Sequence, residues 1–195
     1  MLMGFGSNKK YIDTVHLQYN VAVLRDEKSY KELFLHFHNP LTRFAATIVK
    51  SAEAAEEIYS DVFLRLWDLG TAFRNIENLR LYLYTSIKNA SLNYLAKYYK
   101  VQTVDIDSVN LDFLQQPDPE ESLLISEFQR MSSLAINTLP AKCQMVYKLI
   151  REDGFSYKEV AEIMNISVNT VEGHMTTALK KISSSLRVYL RYDKN

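Results

Sequence analysis

Ser156-Tyr-Lys-Glu-Val-Ala-Glu-Ile-Met-Asn-Ile-Ser-Val-Asn-Thr-Val-Glu-Gly-His-Met-Thr-Thr-Ala-Leu-Lys-Lys181 is the stretch on which the fold of this chain turns. Ser156 and Glu159 have the spacing of a capping box, in which each side chain satisfies the other's free backbone N–H at the start of a helix. Val160, Ala161 and Met164 then face inward on a short helix. Asn165 falls where a helix-turn-helix needs left-handed backbone, a conformation asparagine tolerates better than most residues. Ile166 plugs the turn and Ser167 caps a second helix. That helix is expected to direct Val171, Ala178, Leu179 and Ile182 toward the core. Its opposite face carries Asn169, Thr170, Glu172, Gly173, His174, Thr177, Lys180 and Lys181. Small polar groups early in a helix reach base edges in a major groove, and lysines further along neutralise phosphates. With Ser167, these eight residues form a candidate DNA-binding set. An ordinary helical hairpin with a solvated face is the plainer alternative. The placement of small Ala161, bulky Ile166 and Val171 favours the helix-turn-helix.

Working outward, Leu139-Pro140 opens a preceding helix whose apolar face is Cys143, Val146, Tyr147 and Ile150, and Gly154 closes it. The formal net charge of the 195 residues is zero, which by itself argues against nucleic acid. Residues 168–195 nevertheless hold five basic residues against two acidic ones, so overall neutrality conceals a basic end.

Residues 101–126 differ in composition. They hold six acidic residues and no lysine or arginine, with no helical period, and are expected to be extended and mobile. Asp118-Pro119-Glu120-Glu121 then has the form of a helix start. Upstream, residues 19–100 read as successive helices. Ser29-Tyr-Lys-Glu32 has capping-box form, and Asn39-Pro40 restarts or kinks the helix. Ala55, Ile58, Val62, Leu66 and Leu69 make one apolar stripe that Gly70 ends, and Leu83, Ile87, Ala90 and Tyr94 make another, on a helix expected over residues 77–100. Such stripes most simply build a helical-bundle core. Residues 74–100 carry five basic residues and one acidic, interleaved with tyrosines and asparagines. That mixture suits single-stranded DNA, whose unstacked bases are held by stacking and edge contacts.

Little points to catalysis, and no cofactor is expected. His36 and His38 face different sides of a helix with no ligand placed to complete a metal site. There is no phosphate-cradling glycine loop and no activated nucleophile. The single cysteine, Cys143, lies on an apolar face and suits a reducing cytoplasm. The amino terminus lacks a signal-peptide core, and no run is long enough to insert in a membrane.

With these residues in view, the chain resembles the extracytoplasmic-function (ECF) sigma factors of the sigma-70 family. Ala55-Glu-Glu-Ile-Tyr-Ser-Asp-Val-Phe-Leu-Arg-Leu-Trp67 looks like the helix with which that family grips the polymerase clamp. The stretch from Leu139 to Lys181 looks like its promoter-reading fourth region. Ala54, Ser60 and Asn165 depart from the family's usual residues. The resemblance implies an all-α fold: an amino-terminal helical bundle (region 2) and a four-helix helix-turn-helix domain (region 4), joined by a flexible acidic linker. The expected boundaries are a flexible segment over residues 1–18, region 2 over 19–100, linker over 101–118 and region 4 over 119–195.

The function implied is that of a cytoplasmic initiation factor that binds core RNA polymerase and directs it to promoters. Region 4 would read the upstream (minus-thirty-five) element. Region 2 would open the downstream (minus-ten) element with the loop over residues 73–78 and with Arg74, Asn75, Asn78, Arg80, Lys88 and Asn89. Ile58, Asp61, Val62, Leu64, Arg65 and Asp68 are the candidate polymerase contacts, with Trp67 beside them more simply a core anchor. The linker would thread the polymerase's RNA path, and an anti-sigma factor is an expected partner. The main competing reading is a helix-turn-helix regulator of the response-regulator type, which requires an amino-terminal receiver of alternating strands and helices. A helical adaptor that binds only protein is a third, and leaves the basic carboxyl-terminal end unexplained.

Overall fold

Asp26, rather than Ser29, starts the first long helix. In the computed structural model, which describes residues 12–99 and 127–192, the Asp26 carboxylate accepts from the Ser29 backbone N–H at 2.8 Å. Ser29 is therefore one turn inside the helix, buried, with its hydroxyl accepting from the Asn20 side chain. This corrects the expected capping box at Ser29: a carboxylate three residues earlier takes the cap.

The amino-terminal half contains α1 (Thr14–Tyr19), a π-helical turn (Asn20–Leu24), α2 (Glu27–Val49), α3 (Ala52–Asp68), a 3-10 turn (Gly70–Asn75) and α4 (Leu79–Tyr99). Pro40 lies inside α2 without ending it. Lys50 takes left-handed backbone, and Ser51 caps α3 through the Ala54 N–H. Leu33, Phe37, Leu41, Phe44 and Ile48 of α2 meet Ala55, Ile58, Val62 and Leu66 of α3 and Leu83 and Ile87 of α4 in one core. Leu69 is exposed, so the α3 stripe ends at Leu66, and Gly70 stops the helix with a φ of +54°. Phe34 stacks edge-on against Tyr59 and Phe63, and Tyr59 donates its hydroxyl to the Phe34 carbonyl.

The expected flexible segment to residue 18 is corrected over its last part. Thr14–Tyr19 is helical, Asp13 caps it, and Leu17 and Gln18 are buried. An apolar leucine beside a glutamine whose amide finds two backbone acceptors is enough to dock a helix of six residues.

The carboxyl-terminal half contains α5 (Glu127–Asn137), α6 (Ala141–Arg151), α7 (Tyr157–Met164) and α8 (Val168–Tyr192). Pro140 precedes α6, and Gly154 closes the following turn with a φ of +69°. The capping box forms as the sequence requires: Ser156 N donates to Glu159 at 2.8 Å and Glu159 N to Ser156 Oγ at 3.3 Å. Asn165 has a φ of +55°. Among the described side chains of α8 the buried positions are Val171, Met175, Ala178 and Ile182, while Leu179 is 42% exposed. Met175 thus takes the place expected of Leu179, because steps of four, three and four keep one face of a 3.6-residue helix toward the core. Among the described residues every regular element is helical, and none is long and apolar enough to cross a membrane. The linker and the helix start at Asp118 lie outside them.

The two halves pack against each other, with α4 on α7. Tyr84 of α4 meets Phe155 edge-on at 4.7 Å between ring centres, and both are buried. The Arg80 guanidinium lies 4.0 Å from the centre of the Phe155 ring and donates to the Asp153 carbonyl.

Candidate nucleic-acid interface

Three surfaces gather the residues singled out in the sequence. The first is the open side of α8. Ser167, Asn169, Thr170, Glu172, Gly173, Thr177, Lys180 and Lys181 are all exposed, and His174 is half-buried. Ser167 and Thr170 already have local work: Ser167 Oγ accepts from the Thr170 N–H at 3.1 Å and the two hydroxyls lie 2.8 Å apart. Thr177 donates back to the Gly173 carbonyl at 2.9 Å. Beneath the face, Cys143 Sγ lies 3.5 Å from His174 Nδ1, so one ring nitrogen is turned to the core. A Cβ built on Gly173 meets nothing within 4 Å, which makes this turn of α8 a flat, open spot. Lys158, exposed on the first turn of α7, escaped the sequence reading because nothing in its periodicity marks it. In a helix-turn-helix the first helix crosses the backbone, where a cation is favourable.

The second surface is the loop from Phe73 to Asn78 and the start of α4. Arg74, Asn75, Asn78, Arg80 and Asn89 are exposed. Lys88 is not: it is buried, and burial lowers its pKa. The expectation that Lys88 contacts DNA is corrected accordingly, since a side chain left 7% exposed offers little to a DNA strand. Asn78 has a structural duty, accepting from the Leu81 N–H at 3.0 Å as the cap of α4. An asparagine just before Leu79-Arg-Leu-Tyr82 is a competent helix cap, a role that stands beside its place among the candidate DNA contacts. Gln18, which the sequence did not mark, donates both amide hydrogens into this loop, to the carbonyls of Phe73 at 2.7 Å and Ile76 at 2.9 Å. The Arg74 guanidinium lies 5.5 Å from the centre of the Tyr19 ring.

The third surface is the outer side of α3. Asp61, Leu64, Arg65 and Asp68 are exposed, Leu64 by 58%. Ile58 and Val62 are buried in the core and offer nothing to a partner, which narrows the candidate set to the other four. Trp67 is half-buried, edge-on to Tyr30 at 5.0 Å, with the Arg25 guanidinium 4.0 Å above its ring. It packs against the core, as the plain anchor reading expects.

Electrostatics follow from burial. Burial, reinforced by the charge of Lys148, lowers the Lys50 pKa to about 8. Burial raises that of Asp153, against the pull of a hydrogen bond from Tyr84 and of nearby cations. The Ser156 backbone and hydroxyl bonds hold Glu159 below the usual carboxylate range. His38 pairs with Glu56 at 2.8 Å, and among the described residues no group of His, Cys, Asp or Glu is arranged to hold a metal ion.

Comparison with known proteins matches both halves of the chain. Residues 33–100 match Sigma-70 region 2 and residues 133–182 match Sigma-70, region 4, together more than half of the chain. The chain is similar to the ECF RNA polymerase sigma-E factor of Escherichia coli (strain K12), 23% identical over 174 residues that span 85% of this chain and 91% of the relative. Its fold is similar to that of the sigma factor RpoE in complex with the anti-sigma factor NepR from Bartonella quintana. The TM-score is 0.59 at 25% identity, covering 83% of this chain and 98% of the other. CnrH in complex with the cytosolic domain of CnrY has a similar fold, with a TM-score of 0.59 at 17% identity over 90% of this chain and 99% of the other.

Proposed function

The chain belongs to the sigma-70 family as an ECF sigma factor, which directs RNA polymerase to promoters, and from that premise we propose the surfaces through which it works. The open face of α8 reads the upstream element: Asn169, Thr170, Glu172, Gly173 and His174 approach base edges, and Lys180 and Lys181 neutralise phosphate. The observation that carries this assignment is the division of α8 itself. Val171, Met175, Ala178 and Ile182 commit one side to the core and leave the whole polar set on the other.

Region 2 supplies the other two surfaces. Arg74 and Asn75, presented by the 3-10 turn, and Arg80 and Asn89 on α4 meet the downstream element as it becomes single-stranded. Asp61, Leu64, Arg65 and Asp68 on α3 form a mixed apolar and charged strip that suits a partner helix of core polymerase. On this reading the domains are region 2 over residues 19–100, extended at its start by α1, and region 4 over 119–195, with the acidic segment between them. An initiation factor of this kind has no catalysis of its own and acts in the cytoplasm, where polymerase and DNA are. The likeness to a sigma factor held by the anti-sigma factor NepR supports an anti-sigma factor as a further partner.

The response-regulator reading needs strands and helices in alternation, whereas residues 12–99 carry helices throughout. Run-off transcription separates the two. Bacterial core polymerase supplied with this chain is expected to initiate at promoters it ignores alone, and Asp61→Lys with Asp68→Lys is expected to abolish the gain. Duplex binding without any redirection of polymerase would return the chain to the regulator class.

A further inference from the structure

Gln18 is buried at 7% exposure in a six-residue helix, yet its amide crosses to a loop more than fifty residues away. A glutamine amide has two donors, and here both are spent on backbone carbonyls that flank one dipeptide. Those carbonyls belong to Phe73 and Ile76, so Arg74 and Asn75 stand on a short arch pinned at each foot. The arch is also held by its own 3-10 turn and by the packing of Phe73 and Ile76 on the core. Its own closure, Ile76 N to Phe73 O, is 3.3 Å long, and the Phe73 ring is buried. Next to Gln18, the Tyr19 ring is 43% exposed and lies under the Arg74 guanidinium. Arg25, a turn further on, fixes the entry to the arch by donating to the Trp67 carbonyl at 2.6 Å.

We infer that Gln18 and Tyr19 are positioning residues for recognition of the downstream element, Gln18 by holding the loop backbone and Tyr19 by holding the Arg74 side chain. This rests on the reading that the loop meets that element. Base recognition needs donors fixed in direction, because discrimination is lost when a contacting side chain can follow a wrong base. An arch released at both feet would still carry its charge but not its aim. Affinity for DNA in general then survives and discrimination falls.

The test uses the full chain bound to bacterial core polymerase and a forked DNA with the downstream element of a promoter that the chain initiates from. The quantity measured is the ratio of Kd for each single-base change in that element to Kd for the parent. Gln18→Met keeps length and removes both donors; it is expected to lower the ratio about tenfold, two modest hydrogen bonds' worth. Upstream duplex binding is expected to be unchanged. Ile48→Val, in the α2 core, is the control for lost stability and is expected to leave the ratio intact. Tyr19→Leu, on the exposed side where folding is not at stake, is expected to lower the ratio by a smaller factor and serves if Gln18→Met does not fold. An unchanged ratio in both Gln18→Met and Tyr19→Leu, or an equal fall in Ile48→Val, overturns the assignment. Arg74→Ala and Asn75→Ala separate the two levels. If they lower the ratio while the Gln18 and Tyr19 variants do not, the loop reading stands and only the positioning roles fall. If they leave it unchanged, the loop reading fails and takes the inference with it.

Discussion

Gly173 occupies an exposed turn of a long helix where alanine would be the better helix former. No packing requires the glycine, since an added Cβ meets nothing within 4 Å. Gly173→Ala is therefore expected to stabilise the chain by about 0.5–1 kcal/mol, a rise of about 1–3 °C in thermal midpoint. If α8 sits in a major groove, the same methyl intrudes where the backbone approaches the bases, and affinity for an upstream-element duplex falls. A stabilised variant with undiminished affinity would place Gly173 away from DNA. The neighbouring residues divide by chemistry. Lys180→Ala is expected to weaken binding on all sequences alike and to reduce its salt dependence. Asn169→Ala and His174→Ala are expected to shift sequence preference, by about 1–3 kcal/mol at the affected base pair. Anisotropy titrations over a set of single-base variants at two salt concentrations resolve the two behaviours.

At the scale of elements, the helix-turn-helix depends on one reciprocal pair at the start of α7. Ser156→Ala is expected to cost about 1 kcal/mol by leaving the Glu159 N–H without its acceptor. The pair also sets a pH dependence. Glu159 is held below its unfolded value by the Ser156 bonds, so its contribution is complete above the unfolded carboxylate range and is lost as pH falls through the lowered folded value. The stability gap between wild type and Ser156→Ala, measured by urea unfolding, should therefore narrow on acidification and hold steady through neutral pH. This element was readable from sequence because its signals are local: a cap, a left-handed asparagine and an apolar face within a few residues. The start of α2 was misplaced because Ser29 and Asp26 are both competent caps and only the packing of Ser29 against Asn20 decides between them. Lys88 as a DNA contact is overturned, and the capping duty of Asn78 goes unmarked, for a related reason. Residue type suggested a DNA contact at both, and burial for the one and the α4 cap for the other are properties of the assembled bundle. Gln18 carried no signal at all, since its partners are carbonyls far along the chain.

At the scale of the whole molecule, what matters is how the halves meet, and composition left that open. The joint sets Tyr84, Phe155 and Arg80 together, favourable contacts of ring on ring and cation on ring. It also sets the half-buried Lys50 near the charge of Lys148 from the other half, a like-charge approach that opposes closure. The sign of the resulting pH dependence follows from the Lys50 pKa of about 8 in the closed chain against the ordinary lysine value of 10.5. Between these values the open chain binds more protons, so closure strengthens as pH rises from about 8 toward 10.5 and is weakest below 8. Lys50→Met removes the penalty and is expected to favour the closed chain at neutral pH by about 1–2 kcal/mol, allowing for partial exposure of the ammonium. Arg80→Ala removes the cation over Phe155 and its bond to the Asp153 carbonyl, and acts in the opposite direction. Small-angle scattering reads both. The radius of gyration at pH 7 should fall in Lys50→Met and rise in Arg80→Ala, and only chains that keep Lys50 should contract between pH 7 and 10. Because Arg80 is also a proposed contact to the downstream element, a chain closed in this way holds that proposed contact against Phe155. Engagement of that element must then draw Arg80 away from the joint. Prior binding of single-stranded downstream-element DNA should accordingly expand the wild-type chain and leave Arg80→Ala, already open, unchanged.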